Sequence, residues 1–198
     1  RCLWPLWEKV APRVTCVRDI VVVDDGTGPR IPGTHDFEEL IARSEPLDYD
    51  LNLPEKQAAA MCYTSGTTGH PKGVVYSHRS QVLHGLMCMT ADALGISERD
   101  TILPVVPMFH ANAWSLPYCA PMVGAKLVLP GNRMDAASLY EMLAGERVSF
   151  AVGVPTIWTM LIGWLREHHK TLPDFERCLV AGTALPPAVQ KTLHDEFG

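Results

Sequence analysis

Short apolar, β-branched runs alternate with helical patterns from residue 101 to the end of the chain, and this alternation limits the fold more than any other feature. Strands are expected over residues 101–105, 125–129, 149–152 and 178–181. Helices are expected over 135–144, with Leu139, Met142 and Leu143 facing inward, and over 155–169, opened by Pro155. A last helix starts at Pro186 or Pro187. Residues 111–122 read as an apolar, Pro-bent helix. Such short spacing implies an α/β architecture with largely parallel strands.

Upstream, residues 58–63 read as a buried strand and 64–73 as a Gly/Thr loop. Ser77 suits the cap of a helix running to about residue 93, with Gly95 ending it. In the first sixty residues, 14–17 and 20–23 read as short strands, 24–29 as a turn and 36–44 as a short helix. There is no internal repeat and no low-complexity tract.

A chain of 198 residues with 47% hydrophobic side chains can build one large domain or two small lobes around a core. Its net charge of −5 argues against a nucleic-acid binder. The six cysteines are widely spaced, with no CxxC pair and no zinc spacing, as for reduced thiols in a cytoplasmic protein. No basic-then-apolar leader opens the sequence. The most apolar stretch, residues 101–130, is interrupted by Pro104, Pro107, Pro117 and Pro121, so no transmembrane segment is expected. The chain starts at Arg1 and stops at Gly198 directly after a helical pattern, which reads as an internal fragment.

The chemistry is concentrated in residues 63–73: Tyr63, Thr64, Ser65, Gly66, Thr67, Thr68, Gly69, His70, Pro71, Lys72 and Gly73. Four Ser/Thr hydroxyls, three glycines and one lysine fall within this loop. The glycines allow backbone N–H groups to approach an anion, the hydroxyls can donate to phosphate oxygens or bind magnesium, and Lys72 adds a positive charge. Between a strand and a helix, such a loop favours bound anions. It is not a Walker A loop, because Lys72 lies between Pro71 and Gly73.

This loop, continued by Val74, Val75, Tyr76, Ser77, His78 and Arg79, resembles the signature phosphate loop of adenylate-forming (AMP-binding) enzymes: acyl-CoA synthetases, luciferases and peptide-synthetase adenylation domains. The resemblance implies that Ser65, Gly66, Thr67, Thr68 and Gly69 wrap the ATP phosphates. It also implies that Thr64 helps hold Mg²⁺ and that Lys72 steadies the β- and γ-phosphates as a catalytic cation. The run Pro107, Met108, Phe109, His110, Ala111, Asn112, Ala113 and Trp114 is similar to the second core motif in its fatty-acyl form. There the His is a catalytic group beside the substrate carboxylate and the Trp gates the acyl tunnel, roles implied for His110 and Trp114 with Ala111 beside them. Gly153, Val154, Pro155 and Thr156 resemble the corner beside the acyl pocket. Gly182, Thr183 and Ala184 resemble the small-residue segment that borders adenine.

The resemblance implies a piece of the large N-terminal domain of a medium- or long-chain fatty-acyl-CoA synthetase. One lobe would span 1–100 with the phosphate loop and a second α/β lobe 101–198 with the gate motif. Fatty acid, ATP and coenzyme A would be the substrates, and a homodimer is compatible with the family. Two other readings stay open: an aryl- or amino-acid-adenylating relative, and a non-catalytic nucleotide-binding module. No aspartate near Trp114 stands ready for an α-amino group. The later family motifs, with the second magnesium ligand and the C-terminal catalytic lysine, do not occur in these 198 residues. The isolated polypeptide is therefore expected to give little or no ATP–pyrophosphate exchange with fatty acids, and robust exchange would refute this.

Overall fold

The computed structural model describes residues 3–23, 29–48, 52–64 and 69–197. Two compact units divide between Asn52 and Leu53. In the first, helix α1 (Trp4–Val10) and a 3₁₀ turn (Ala11–Arg13) precede a two-residue parallel pair, β1 (Val21–Val22) with β2 (His35–Asp36). Helix α2 (Phe37–Arg43) follows, and the Asp36 carboxylate caps it by accepting from the Glu39 N–H at 2.9 Å. Residues 14–17, expected as a strand, have no ladder partner, and much of the expected 24–29 turn lies outside the described residues.

The second unit opens with an antiparallel hairpin, β3 (Ala58–Thr64) and β4 (Lys72–Ser77), and helix α3 (His78–Met89). This corrects the expected strand–loop–helix order. Val74, Val75 and Tyr76 are strand formers, so the chain pairs back on β3 before Ser77 caps α3 by accepting from the Ser80 N–H. β3 is also not the buried strand expected: Cys62 is its one buried residue.

A four-stranded parallel sheet forms the rest, in the order β6–β5–β7–β8: β5 (Thr101–Val105), β6 (Lys126–Leu127), β7 (Phe150–Gly153) and β8 (Arg177–Val180). Side chains alternate across it. Leu103, Val105 and Ala151 join one core, with helices α6 (Ala136–Gly145), α7 (Pro155–Glu167) and α8 (Pro187–Phe197). Ile102, Phe150 and Val152 join a second, with Cys88 of α3 and Leu116, Cys119 and Ala120 of α5 (Leu116–Val123). Parallel sheets need both faces covered, and this one has them. Gly85 lets α3 and α5 close up, since a Cβ there would sit 3.0 Å from the Met122 sulfur.

Two local choices follow from proline. Asp100 and Ile102 give their carbonyls to the Lys126 and Val128 N–H groups. Pro104 faces the same side one step on, beyond the paired rungs of β6, so its missing N–H costs no ladder bond. The helix expected over 111–122 is divided into a short left-handed segment, α4 (Ala111–Trp114), and α5. A right-handed helix through Pro117 would lose a bond to Ala113 and clash with its carbonyl. α5 instead begins at Leu116, with Pro117 harmless in its first turn. The strand expected over 125–129 shortens to two residues.

A buried carboxylate ties the sheet's amino edge. Asp100 accepts from the Ser97 N–H at 2.9 Å, from the Ser149 hydroxyl at 2.9 Å and from the Arg177 guanidinium at 2.5 Å. Burial alone pushes the Asp100 carboxyl up, but these donors outweigh it and hold it below the ordinary carboxylate value. With the folded value depressed, the stabilisation is present above pH ~4 and is lost as pH falls through the folded value. Asp100→Asn is expected to cost about 2–3 kcal/mol at pH 7, and urea titrations of both proteins should converge as pH falls below the ordinary carboxylate range.

Candidate active site

Strands β5, β7 and β8 end side by side, with Val105 paired to Gly153 and Gly153 to Val180. The segments leaving those ends are residues 106–110, 154–156 and 181–184, so His110, Val154, Pro155, Thr156, Gly182, Thr183 and Ala184 all follow the carboxyl edge of one sheet. Open α/β sheets bind ligands outside that edge. Pro155 is buried and opens α7, whereas Thr156 and residues 182–184 are exposed. Gly182 has φ +98°, and a Cβ there would meet Val154 Cγ1 at 3.2 Å. The absence of a side chain lets the two segments touch.

The hairpin brings the ends of the Gly/Thr loop together, because Thr64 pairs with Lys72. Both are exposed, and Lys72 has no ion-pair partner among the described residues. Gly69 has φ +84° in open space. Ser65, Gly66, Thr67 and Thr68 lie outside the described residues. No three His, Cys, Asp or Glu side chains among the described residues form a metal cluster. Magnesium is commonly held by one or two carboxylates plus substrate phosphates, and at this loop end the described residues offer the exposed Thr64 hydroxyl and no carboxylate cluster.

Between His110 and α5 the chain makes a left-handed turn. Ala111, Asn112, Ala113, Trp114 and Ser115 have φ of 45°, 50°, 48°, 54° and 60°. None is glycine, and each such residue costs roughly 1–2 kcal/mol against the right-handed form. Two side-chain bonds fasten the turn. The Cys62 thiol donates to Asn112 Oδ1 at 2.7 Å, and the buried Ser115 hydroxyl donates to Gln81 Oε1 at 3.1 Å. Asn112 Nδ2 is buried with no hydrogen-bond partner among the described residues, which adds about 1–3 kcal/mol. His110 precedes the turn, exposed, its N–H bonded to the Pro107 carbonyl at 3.1 Å.

The turn forms one wall of a cavity of about 320 Å³, through Ala111, Trp114 and Ser115. The opposite wall is Tyr76 of β4 with Ser80, Gln81 and His84 of α3. Sequence reasoning singled out none of Ser80, Gln81 and His84 for a site. Their signal was the spacing, since positions 80, 81 and 84 share one helical face.

A family profile described as AMP-binding enzyme matches residues 7–198. The chain belongs to the AMP-binding enzyme family. A long-chain-fatty-acid–CoA ligase of Thermus thermophilus is 48% identical over 184 residues, 93% of this chain and 33% of that protein. A medium-chain-fatty-acid–CoA ligase of Ectopseudomonas oleovorans is 47% identical over 169 residues, 85% of this chain and 31% of that protein. A 3-methylmercaptopropionyl-CoA ligase of Ruegeria pomeroyi is 41% identical over 197 residues, 98% of this chain and 36% of that protein. The chain thus spans about a third of the length of these AMP-binding relatives. In fold it matches the N-terminal domain of FACL13 from Mycobacterium tuberculosis, with a TM-score of 0.72 and 26% identity over 81% of this chain and 40% of that one. It also matches an anthranilate CoA ligase, with a TM-score of 0.82 and 22% identity over all of this chain and 38% of that one. The α/β expectation is met. No helix among the described residues is long and apolar enough to cross a membrane.

Gly182→Ala should lower stability by about 1–2 kcal/mol, because alanine is strained at positive φ and also crowds Val154. Adding Val154→Ala should return only the crowding part, as read from melting temperatures.

Proposed function

We propose that the full-length protein carrying this chain activates a medium- or long-chain fatty acid with ATP and passes the acyl group to coenzyme A. The observation that carries the reading is convergence. The hairpin bearing Thr64 and Lys72 is bonded through Cys62 to the turn that follows His110 and ends at Trp114. A phosphate-binding element and a cavity wall therefore share one junction.

In the reaction, a carboxylate oxygen of the acid attacks the α-phosphorus of ATP and pyrophosphate leaves. The coenzyme A thiol, losing its proton, then attacks the acyl carbonyl, and AMP leaves. Lys72 offsets charge gathering on the β- and γ-phosphates, and Ser65, Gly66, Thr67, Thr68 and Gly69 supply donors to the same oxygens. Thr64 would offer an oxygen to a magnesium ion brought with the nucleotide, which would add further charge neutralisation. His110 orients the carboxylate. Residues 182–184, free of bulky side chains, accept the flat adenine. Ala111 and Trp114 border the acyl chain, and residues 154–156 shape the corner beside it.

The test uses the full-length protein and a panel of acids from acetate to palmitate, with benzoate, alanine and 3-methylmercaptopropionate added. The highest kcat/KM is expected for an unbranched acid of eight carbons or more. A preference for benzoate or alanine would overturn the fatty-acid reading. Lys72→Ala should lower ATP–pyrophosphate exchange about 100-fold or more.

A further inference from the structure

The cavity between α3 and the left-handed turn is not lined as an alkyl chain alone would require. Tyr76, Ser80, Gln81, His84 and Ser115 each bring a polar group to it, beside Ala111 and Trp114. Two of these groups are engaged within the protein. The Ser80 hydroxyl donates to the Ser77 carbonyl at 2.9 Å, and the Ser115 hydroxyl donates to Gln81 Oε1 at 3.1 Å. The Tyr76 hydroxyl can donate or accept, so it favours neither kind of ligand atom.

Gln81 and His84 are different. Gln81 is only 7% exposed, and the Ser115 bond fixes which way its amide faces. Its Nε2 group has no hydrogen-bond partner among the described residues. A side chain buried to that degree normally has its polar atoms paired. His84 Nδ1 lies 3.8 Å from the Cys88 sulfur. Burial pushes the Cys88 thiol up, so the sulfur keeps its hydrogen and gives it to Nδ1. The neutral imidazole then carries its own proton on Nε2, which has no partner among the described residues. Positions 81 and 84 are three apart and share one helix face. Two N–H donors therefore stand together in one wall. An alkyl chain laid against them would exclude water and accept from neither.

We infer that Gln81 and His84 are specificity-determining residues that select an acid with an oxygen acceptor within its chain, an ether oxygen being the simplest case. This rests on the fatty-acid-activating reading above and narrows its substrate class. An ether oxygen has two lone pairs and can accept from both donors. A methylene in the same place leaves both unpaired or traps a water beside them. The hydrocarbon on either side of the oxygen packs against Ala111 and Trp114.

The test compares decanoate with analogues in which an ether oxygen replaces one methylene, moved stepwise from the middle of the chain to its far end. Turnover is measured on the full-length protein with ATP, Mg²⁺ and coenzyme A. At one position the ether is expected to exceed decanoate in kcat/KM by about fivefold or more. The gain should lie mostly in KM, since the bond is made equally in the ground and transition states. His84→Leu, at an exposed position that can change without unfolding the protein, should bring the ratio to about one or below. His84→Gln, whose amide restores a donor, should recover part of the preference. Gln81→Glu keeps the oxygen that accepts from Ser115 and replaces the free N–H₂ with an acceptor, so it should turn the preference against the ether. A wild type that prefers decanoate to every ether overturns the assignment and leaves the fatty-acid reading standing. So does a His84→Leu variant with the wild-type ratio, a His84→Gln variant no better than the leucine one, or a folded Gln81→Glu variant with its preference unchanged. A wild type that activates neither decanoate nor any ether overturns the proposed function and the assignment with it.

Discussion

Parallel pairing of β5, β7 and β8 imposes most of what this chain can be. Strands that run the same way must each be followed by a crossover, and each crossover must cover a face of the sheet. The two cores meet that demand, one against α6, α7 and α8 and the other against α5 and the end of α3. The same pairing sends every strand out of the sheet at one edge. Residues 106–110, 154–156 and 181–184 are neighbours there because of the ladder, although they lie far apart in the chain. The opposite edge is closed by Asp100, Ser149 and Arg177, so one end of the sheet is fastened and the other is left for ligands.

Around this frame the candidate site is assembled from parts of very different rigidity. The corner at Val154 is fixed by the Trp158 indole, which donates to the Gly153 carbonyl at 3.3 Å from within the core. The β3–β4 hairpin is mostly exposed and reaches the remainder through Cys62 and through α3. Ligand-handling elements are generally drawn from such weakly buried parts, since they must change shape at low cost.

Much of this was legible in the residues because local and long-range preferences agree. Asp36, Ser77 and Asp135 cap the helices that follow them, as their side chains suit. The strands at 101–105, 149–152 and 178–181 are apolar and β-branched and lie within a residue or so of their expected bounds. Elsewhere the deciding contact is distant. β6 pairs over two residues, its ladder ending before the level of Pro104 on its neighbour, which no window around Lys126 reveals. Helix α1 was not anticipated. The left-handed turn carries no glycine to announce it, and Ala-Asn-Ala-Trp-Ser reads locally as right-handed helix. Only Cys62, fifty residues earlier, and Gln81 explain how it is held. The Gly/Thr loop was the clearest motif in the sequence, yet residues 65–68 at its centre lie outside the described residues.

The handedness of residues 111–115 also limits how this cavity can diversify. Proline is barred throughout the turn because its ring holds φ near −65°, and valine, isoleucine and threonine are heavily penalised at positive φ. That wall is confined to a small alphabet whatever molecule it faces. On the opposite wall Gln81 is held by its bond from Ser115, whereas Ser80 and His84 are exposed positions of an ordinary right-handed helix and tolerate many side chains. Changes to what this cavity can hold would therefore fall at the exposed positions of α3 sooner than in the turn.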